Sequence, residues 1–200
     1  MLKYWVFLAL VFSSVSSYAQ IYRAGQGAFP EPINFPRFEI SVGTGFTSAS
    51  LQEPSGDTVI HDKNVTDLRL LYALSSWFSV GPAVYVSRRK ENQPLVSSYK
   101  TRRAGIIGKF NLSPDTTPRS YALIEAGAME RKLSYMRTLE DSAASLYVTA
   151  GLGTEVDICS GFFLGLEGRV TRYFKDKIGP YIQLNSPWEV ACSLRAGIRF

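Results

Sequence analysis

The sequence predicts an all-β protein, an eight-stranded antiparallel up-and-down transmembrane β-barrel spanning residues 37–200. Three observations lead there. From Phe38 onward, apolar residues recur at every second position in eight separate segments. Each segment holds on the order of ten residues, the length a tilted strand needs to cross a bilayer. Short connections alternate with longer, polar ones.

Period two marks strands with two unlike faces, and here the even-numbered positions carry the apolar one. In the first segment Phe38, Ile40, Val42 and Phe46 alternate with Glu39, Ser41, Gly43 and Gly45. The second sets Leu68, Leu70, Tyr72 and Leu74 against Asp67 and Arg69, with Leu71 breaking the rule. The third sets Phe78, Val80, Val84 and Val86 against Ser79, Gly81, Ala83, Tyr85 and Ser87. In the fourth, Ala104, Ile106 and Phe110 oppose Arg103, Gly105 and Lys109. The fifth is weaker: Ala122, Ile124, Ala126 and Ala128 face away from Tyr121, Glu125, Gly127 and Arg131, while Leu123 and Met129 blur the contrast. The sixth opposes Leu146, Val148, Ala150, Leu152, Val156 and Ile158 to Thr149, Gly151, Gly153, Glu155 and Asp157. The seventh opposes Phe162, Leu164, Leu166, Val170 and Phe174 to Gly165, Glu167, Arg169 and Thr171. The eighth is the cleanest, with Trp188, Val190, Cys192, Leu194, Ala196, Ile198 and Phe200 against Glu189, Ser193, Arg195, Gly197 and Arg199.

The connections at 75–77, 113–119 and 160–161 are short, whereas 52–63, 88–99, 133–144 and 176–187 are long and polar. With both ends of the barrel sequence on the short-turn side, this predicts a bacterial outer-membrane barrel with short periplasmic turns and long outer loops. Pro82, on the lipid-facing parity of a closed sheet, removes a ladder bond and predicts a local bulge or register shift.

Residues 1–19 read as a secretory signal peptide. Lys3 precedes the apolar run from Trp5 to Phe12, and small residues stand at Ser17 and Ala19. Residues 20–36, with Gly25, Gly27, Pro30, Pro32 and Pro36, show no period and read as an irregular periplasmic leader. The 200-residue chain has a mean hydropathy of -0.02, against a polytopic helical membrane protein, and 12 Phe, 11 Tyr and 3 Trp argue against disorder. Its net charge of +5 comes from Lys and Arg scattered along the chain, which excludes a nucleic-acid footprint.

Alternation alone does not say which face is inside, because a soluble periplasmic carrier barrel shows the same pattern with the faces exchanged. Charge helps to decide. The polar face carries Arg69, Arg103, Lys109, Arg131, Arg169, Arg195 and Arg199 together with Glu39, Asp67, Glu125, Glu155, Asp157, Glu167 and Glu189. Such a balanced set suits a closed interior in which mutual pairing offsets desolvation, so these residues are expected to form an ion network in the lumen. Aromatics gather near the segment ends, with Phe38, Tyr72, Phe78, Phe110, Phe162 and Phe200 on the short-turn side and Phe46, Phe174 and Trp188 on the other, as two interfacial girdles would. Glu130 and Arg172 lie on the apolar face, at its loop-side ends.

With these segments, the signal peptide and the ending Leu194-Arg195-Ala196-Gly197-Ile198-Arg199-Phe200, the sequence resembles the small eight-stranded OmpA/OmpX-type barrels of the outer membrane protein β-barrel domain family. The resemblance implies outer-membrane lipid as surroundings, a monomer, and recognition of Phe200 by the barrel-assembly machinery. A barrel this narrow is filled by its own side chains, so a structural or surface role is expected rather than a general diffusion pore.

Catalytic signals are sparse. His61, with Asp62 in the first long loop and Ser55 and Asp57 nearby, could act as a general base in a lipid-modifying or proteolytic barrel. The bland reading, a solvated loop histidine, is preferred, and no enzyme is expected. Cys159 falls on the lumen-side parity and Cys192 on the lipid side two strands away, which disfavours a disulfide. No His or Cys cluster suggests a metal, and neither Gly43-Thr44-Gly45 nor Gly151-Leu152-Gly153 completes a dinucleotide turn, so no cofactor is expected.

Overall fold

The computed structural model describes residues 37–52, 58–90, 96–135, 139–159, 161–174, 177–178, 182–184 and 187–200. Eight long strands form one closed antiparallel sheet: β1 (Phe38–Gln52), β2 (Thr58–Ala73), β3 (Phe78–Lys90), β4 (Val96–Asn111), β5 (Arg119–Tyr135), β6 (Leu139–Cys159), β7 (Phe162–Tyr173) and β10 (Trp188–Arg199). Each pairs with its neighbour in sequence, and β10 pairs back onto β1 to close the cylinder. Two short strands, β8 (Lys177–Ile178) and β9 (Ile182–Leu184), form a small hairpin on the far end of β1. No helix occurs among the described residues. The expected signal peptide and leader, residues 1–36, lie outside them.

The register is even and steep. From Phe38 the paired positions run through Tyr72, Val80, Gly108, Ile124, Ala150, Val170 and Val190 and return to β1 at Ser48, ten residues farther along. A stagger of this kind tilts the strands by about 35–45° and leaves a lumen only wide enough for side chains. Backbone bonds between Phe38 and Phe200, 2.9 and 3.0 Å, fasten the last residue to the first strand.

The two faces answer the question that alternation left open. Phe46, Ile106, Leu146 and Leu194 are each more than half exposed, whereas Arg69, Arg131, Arg195 and Lys109 are fully buried. A water-soluble carrier would show the reverse, so the carrier alternative is overturned. An apolar outer wall is stable only in hydrocarbon, and a closed sheet is one of the two structures that leave no backbone group unsatisfied there.

Three expectations need correction. The strands continue well into what the sequence suggested were loops: β2 begins at Thr58, β4 at Val96 and β6 at Leu139. Outside the bilayer nothing requires an apolar face, so the period-two signal fades while the antiparallel ladder continues. His61 therefore lies within β2, opposite Ala49, rather than in a loop, and Ser55 and Asp57 fall outside the described residues. Around Pro82 there is no bulge. The β2–β3 register is the same on both sides, and pairing simply lapses at Leu70 and Leu71. Gly81 accounts for this, because a Cβ there would collide with the backbone carbonyl of Leu70. The missing side chain lets the strands stay close where proline offers no donor.

Candidate functional site

The candidate site is the lumen, whose lining side chains come from the odd positions of all eight strands. They meet in three tiers. At the short-turn end, Lys109 of β4 donates from Nζ to Glu39 Oε2 at 2.9 Å and to Glu155 Oε1 at 2.6 Å. Arg199 donates to the same two carboxylates and to Asp157 Oδ1 at 2.8 Å, and Arg119 reaches the other oxygen of Asp157 at 2.8 Å. The Arg199 guanidinium lies 4.0 Å over the ring of fully buried Phe163. Below this tier a cavity of about 310 Å³ opens toward the short turns, lined in part by Glu39, Asn111, Arg119 and Arg199.

The middle tier is centred on Glu167 of β7. Arg69 of β2 grips it with two parallel bonds, NH1 to Oε2 at 2.7 Å and NH2 to Oε1 at 2.5 Å. Arg169 Nε donates to the same carboxylate, Tyr121 OH does so at 2.6 Å, and Arg195 Nε lies 3.7 Å away. Asp67 accepts from Arg169 NH2 at 2.6 Å and from Arg195 NH2, while Arg195 NH1 donates to Ser41 Oγ at 3.0 Å. Every one of these groups is buried. Bidentate guanidinium–carboxylate geometry is the strong form of the ion pair, and a dry interior makes both the attraction and the desolvation penalty large.

In the third tier Arg103 of β4 crosses to β10, four strands away on either side, where its NH2 meets Glu189 Oε1 at 3.2 Å while its NH1 donates to Thr171 Oγ1 at 2.8 Å. Tyr85 and Tyr173 also donate to Glu189, and the Tyr85 ring lies 3.4 Å beneath the Arg103 guanidinium. Arg131, buried toward the loop end, holds its guanidinium 5.1 Å over the Tyr173 ring.

Thus, among the described residues, the structure shows ion pairs for twelve of the fourteen lumen candidates. Those twelve are Glu39, Asp67, Arg69, Arg103, Lys109, Glu155, Asp157, Glu167, Arg169, Glu189, Arg195 and Arg199. Arg131 makes the ring contact just described. Glu125 is different: it is buried, accepts a 2.5 Å hydrogen bond from Tyr147, and has no ion pair among the described residues. Removing its charge strands no cation. Glu125→Gln, which keeps an acceptor for Tyr147, is therefore expected to change unfolding stability in urea by less than about 1 kcal/mol.

The tyrosines are what sequence reasoning missed. Tyr85 and Tyr121 were counted on the polar face without a role, yet Tyr85, Tyr121, Tyr147 and Tyr173 each donate to a buried carboxylate. Their odd numbering was the available signal. An apolar patch of Leu71, Ile107, Tyr121 and Leu123 fills the wall between the tiers, which explains why Leu71 and Leu123 break the alternation. Cys159 is exposed at the end of β6, where the register shifts between Asp157 and Cys159, rather than in the lumen; both it and Cys192 are free. No metal-ligand cluster occurs among the described residues.

The sequence matches the family described as outer membrane protein beta-barrel domain over residues 5–200. No curated protein matches it. Among solved structures, the Neisserial surface protein A (NspA) is similar in fold at 12% identity, with a TM-score of 0.60 covering 82% of this chain and 97% of that one. Ail, the attachment invasion locus protein of Yersinia pestis, is similar at 17% identity and a TM-score of 0.51, covering 82% of this chain and 99% of its own. The chain belongs to the outer membrane protein beta-barrel domain family and resides in the bacterial outer membrane.

Proposed function

We propose that the protein is a monomeric, non-catalytic outer-membrane barrel with a side-chain-filled, charge-paired lumen, which acts as a structural or surface-contact element and not as a general porin. One observation carries this reading: Arg103 and Glu189 join strands on opposite sides of the cylinder, beside a middle tier in which three guanidiniums and two carboxylates occupy the centre. Ions or solutes of porin size would have to break several buried ion pairs to pass.

Export through cleavage after Ala19, short turns toward the periplasm and recognition of Phe200 by the assembly machinery belong to the same proposal. Outer-membrane lipid is then the surrounding partner, and neither nucleic acid nor a cofactor enters. Planar-bilayer recordings of the refolded chain test it. The expected result is no stable conductance of porin size, and a large, sustained open level would overturn the filled-lumen reading.

A further inference from the structure

The outer wall of the barrel is not uniform at its loop end. On β1, just past the end of β7, and on β10 it closes with the aromatics Phe46, Phe174 and Trp188. On β3, β4 and β5 it closes with charge. Arg88 stands opposite Lys100, and Lys100 opposite Lys132, so three cations occupy one cross-strand row on the lipid-facing parity. In the adjoining row Arg102 stands opposite Glu130. Glu130 lies 3.8 Å from Arg102 and 3.4 Å from Lys132, the one carboxylate paired to this group among the described residues. Four cations thus share a single anion.

Like charges placed directly across a ladder repel, so the row carries a standing cost that a bound anion would remove. The position says which anion. In the same three strands Val86, Ala104 and Ala128 follow immediately on the outer face and begin the apolar belt. The row therefore lies at headgroup depth, where the anions at hand are lipid phosphates.

We propose that Arg88, Lys100, Arg102 and Lys132 form a docking surface for the phosphates of an outer-leaflet glycolipid. A lipid with two or more phosphates spans the row and replaces the missing counter-charges, and its acyl chains lie along the apolar wall beneath. This uses the membrane orientation given above but not the sealed lumen, so conductance and lipid binding succeed or fail separately.

The test is a titration of the full chain, refolded in an uncharged detergent, with bisphosphorylated lipid A and with the same lipid stripped of phosphate. Retention is read by native mass spectrometry. The wild type is expected to retain the phosphorylated lipid in preference to the stripped one, with no competition from millimolar inorganic phosphate. Neutralising one cation, as in Lys100→Gln, should weaken binding roughly fivefold, and the triple variant Arg88→Gln, Lys100→Gln, Lys132→Gln on the order of a hundredfold, as basic residues at an anionic lipid surface do. Arg37→Gln, the same charge change at the short-turn end, should leave binding unaltered. Glu130→Gln removes the competing carboxylate and should tighten binding, which keeps the proposal testable even if the triple variant folds poorly. Equal retention of stripped lipid, binding of free phosphate instead, or unchanged binding by Lys100→Gln and Glu130→Gln would each overturn it.

Discussion

Glu167→Gln is expected to lower the unfolding free energy of the refolded barrel by about 3–5 kcal/mol, the usual cost of leaving a buried charge without its partner. The glutamine keeps the shape of the side chain and removes only its charge. Arg69, which now makes two parallel bonds of 2.7 and 2.5 Å to Glu167, would be left with a 3.6 Å approach to Asp67 as its remaining carboxylate contact. Asp67 would then face three guanidiniums alone, since Arg169 and Arg195 already donate to it. By comparison, the outward pair Arg102–Glu130 has side chains 55% and 40% exposed, and pairs of that kind contribute at most about 1 kcal/mol. Equilibrium urea unfolding in phospholipid vesicles, followed by band shift on unheated gels, measures the difference. A loss below about 1 kcal/mol would show that the middle tier is not a tightly coupled ionic unit. The double variant Glu167→Gln, Arg195→Gln restores the balance of charge and is expected to recover part of the loss.

Ile106→Arg supplies the second large effect, about 2–4 kcal/mol of destabilisation in a bilayer. Ile106 sits on the outer face of β4, 59% exposed, with Ala104 and Phe110 on the same face. In a water-soluble protein so exposed an isoleucine could become arginine with a change of about 0.5 kcal/mol or less. The substitution therefore separates two environments that exposure alone does not distinguish. Val86→Arg, one position from the charged end of β3, should cost less, because a side chain there reaches headgroups. Equal, small effects at both positions would mean that this wall does not face hydrocarbon.

The bilayer explains what could be read in the sequence. Wherever a strand crosses it, one face must be apolar at every second residue, so all eight segments were visible, including the fifth despite Leu123 and Met129. Beyond it the constraint ends. His61 and its neighbours on β2 pair with β1 as regularly as the residues below them, with no apolar period to announce the strand. For the same reason Arg88 escaped notice, since it continues the lipid-facing parity into a stretch that reads as loop, and Lys100 and Lys132 stand at the edges of the loops read at 88–99 and 133–144, where the apolar period has already ended. Which carboxylate meets which guanidinium was illegible for a different cause. Arg69 and Glu167 are 98 residues apart and three strands apart around the wall, and no local pattern links them. At Pro82 the sequence suggested a broken ladder, but the outcome depended on Gly81 beside it, where the backbone itself makes the room.

The ten-residue return from Phe38 to Ser48 has a consequence for how such a chain can change in evolution. Because ten is even, lipid-facing residues of β10 land beside lipid-facing residues of β1. Insertion or deletion of a single residue inside any one strand would turn everything beyond it inside out, driving arginines into hydrocarbon. Length changes are consequently expected at the hairpin tips and strand ends. Among the described residues the register shifts between Val96 and Ser98 and between Asp157 and Cys159, both at such ends.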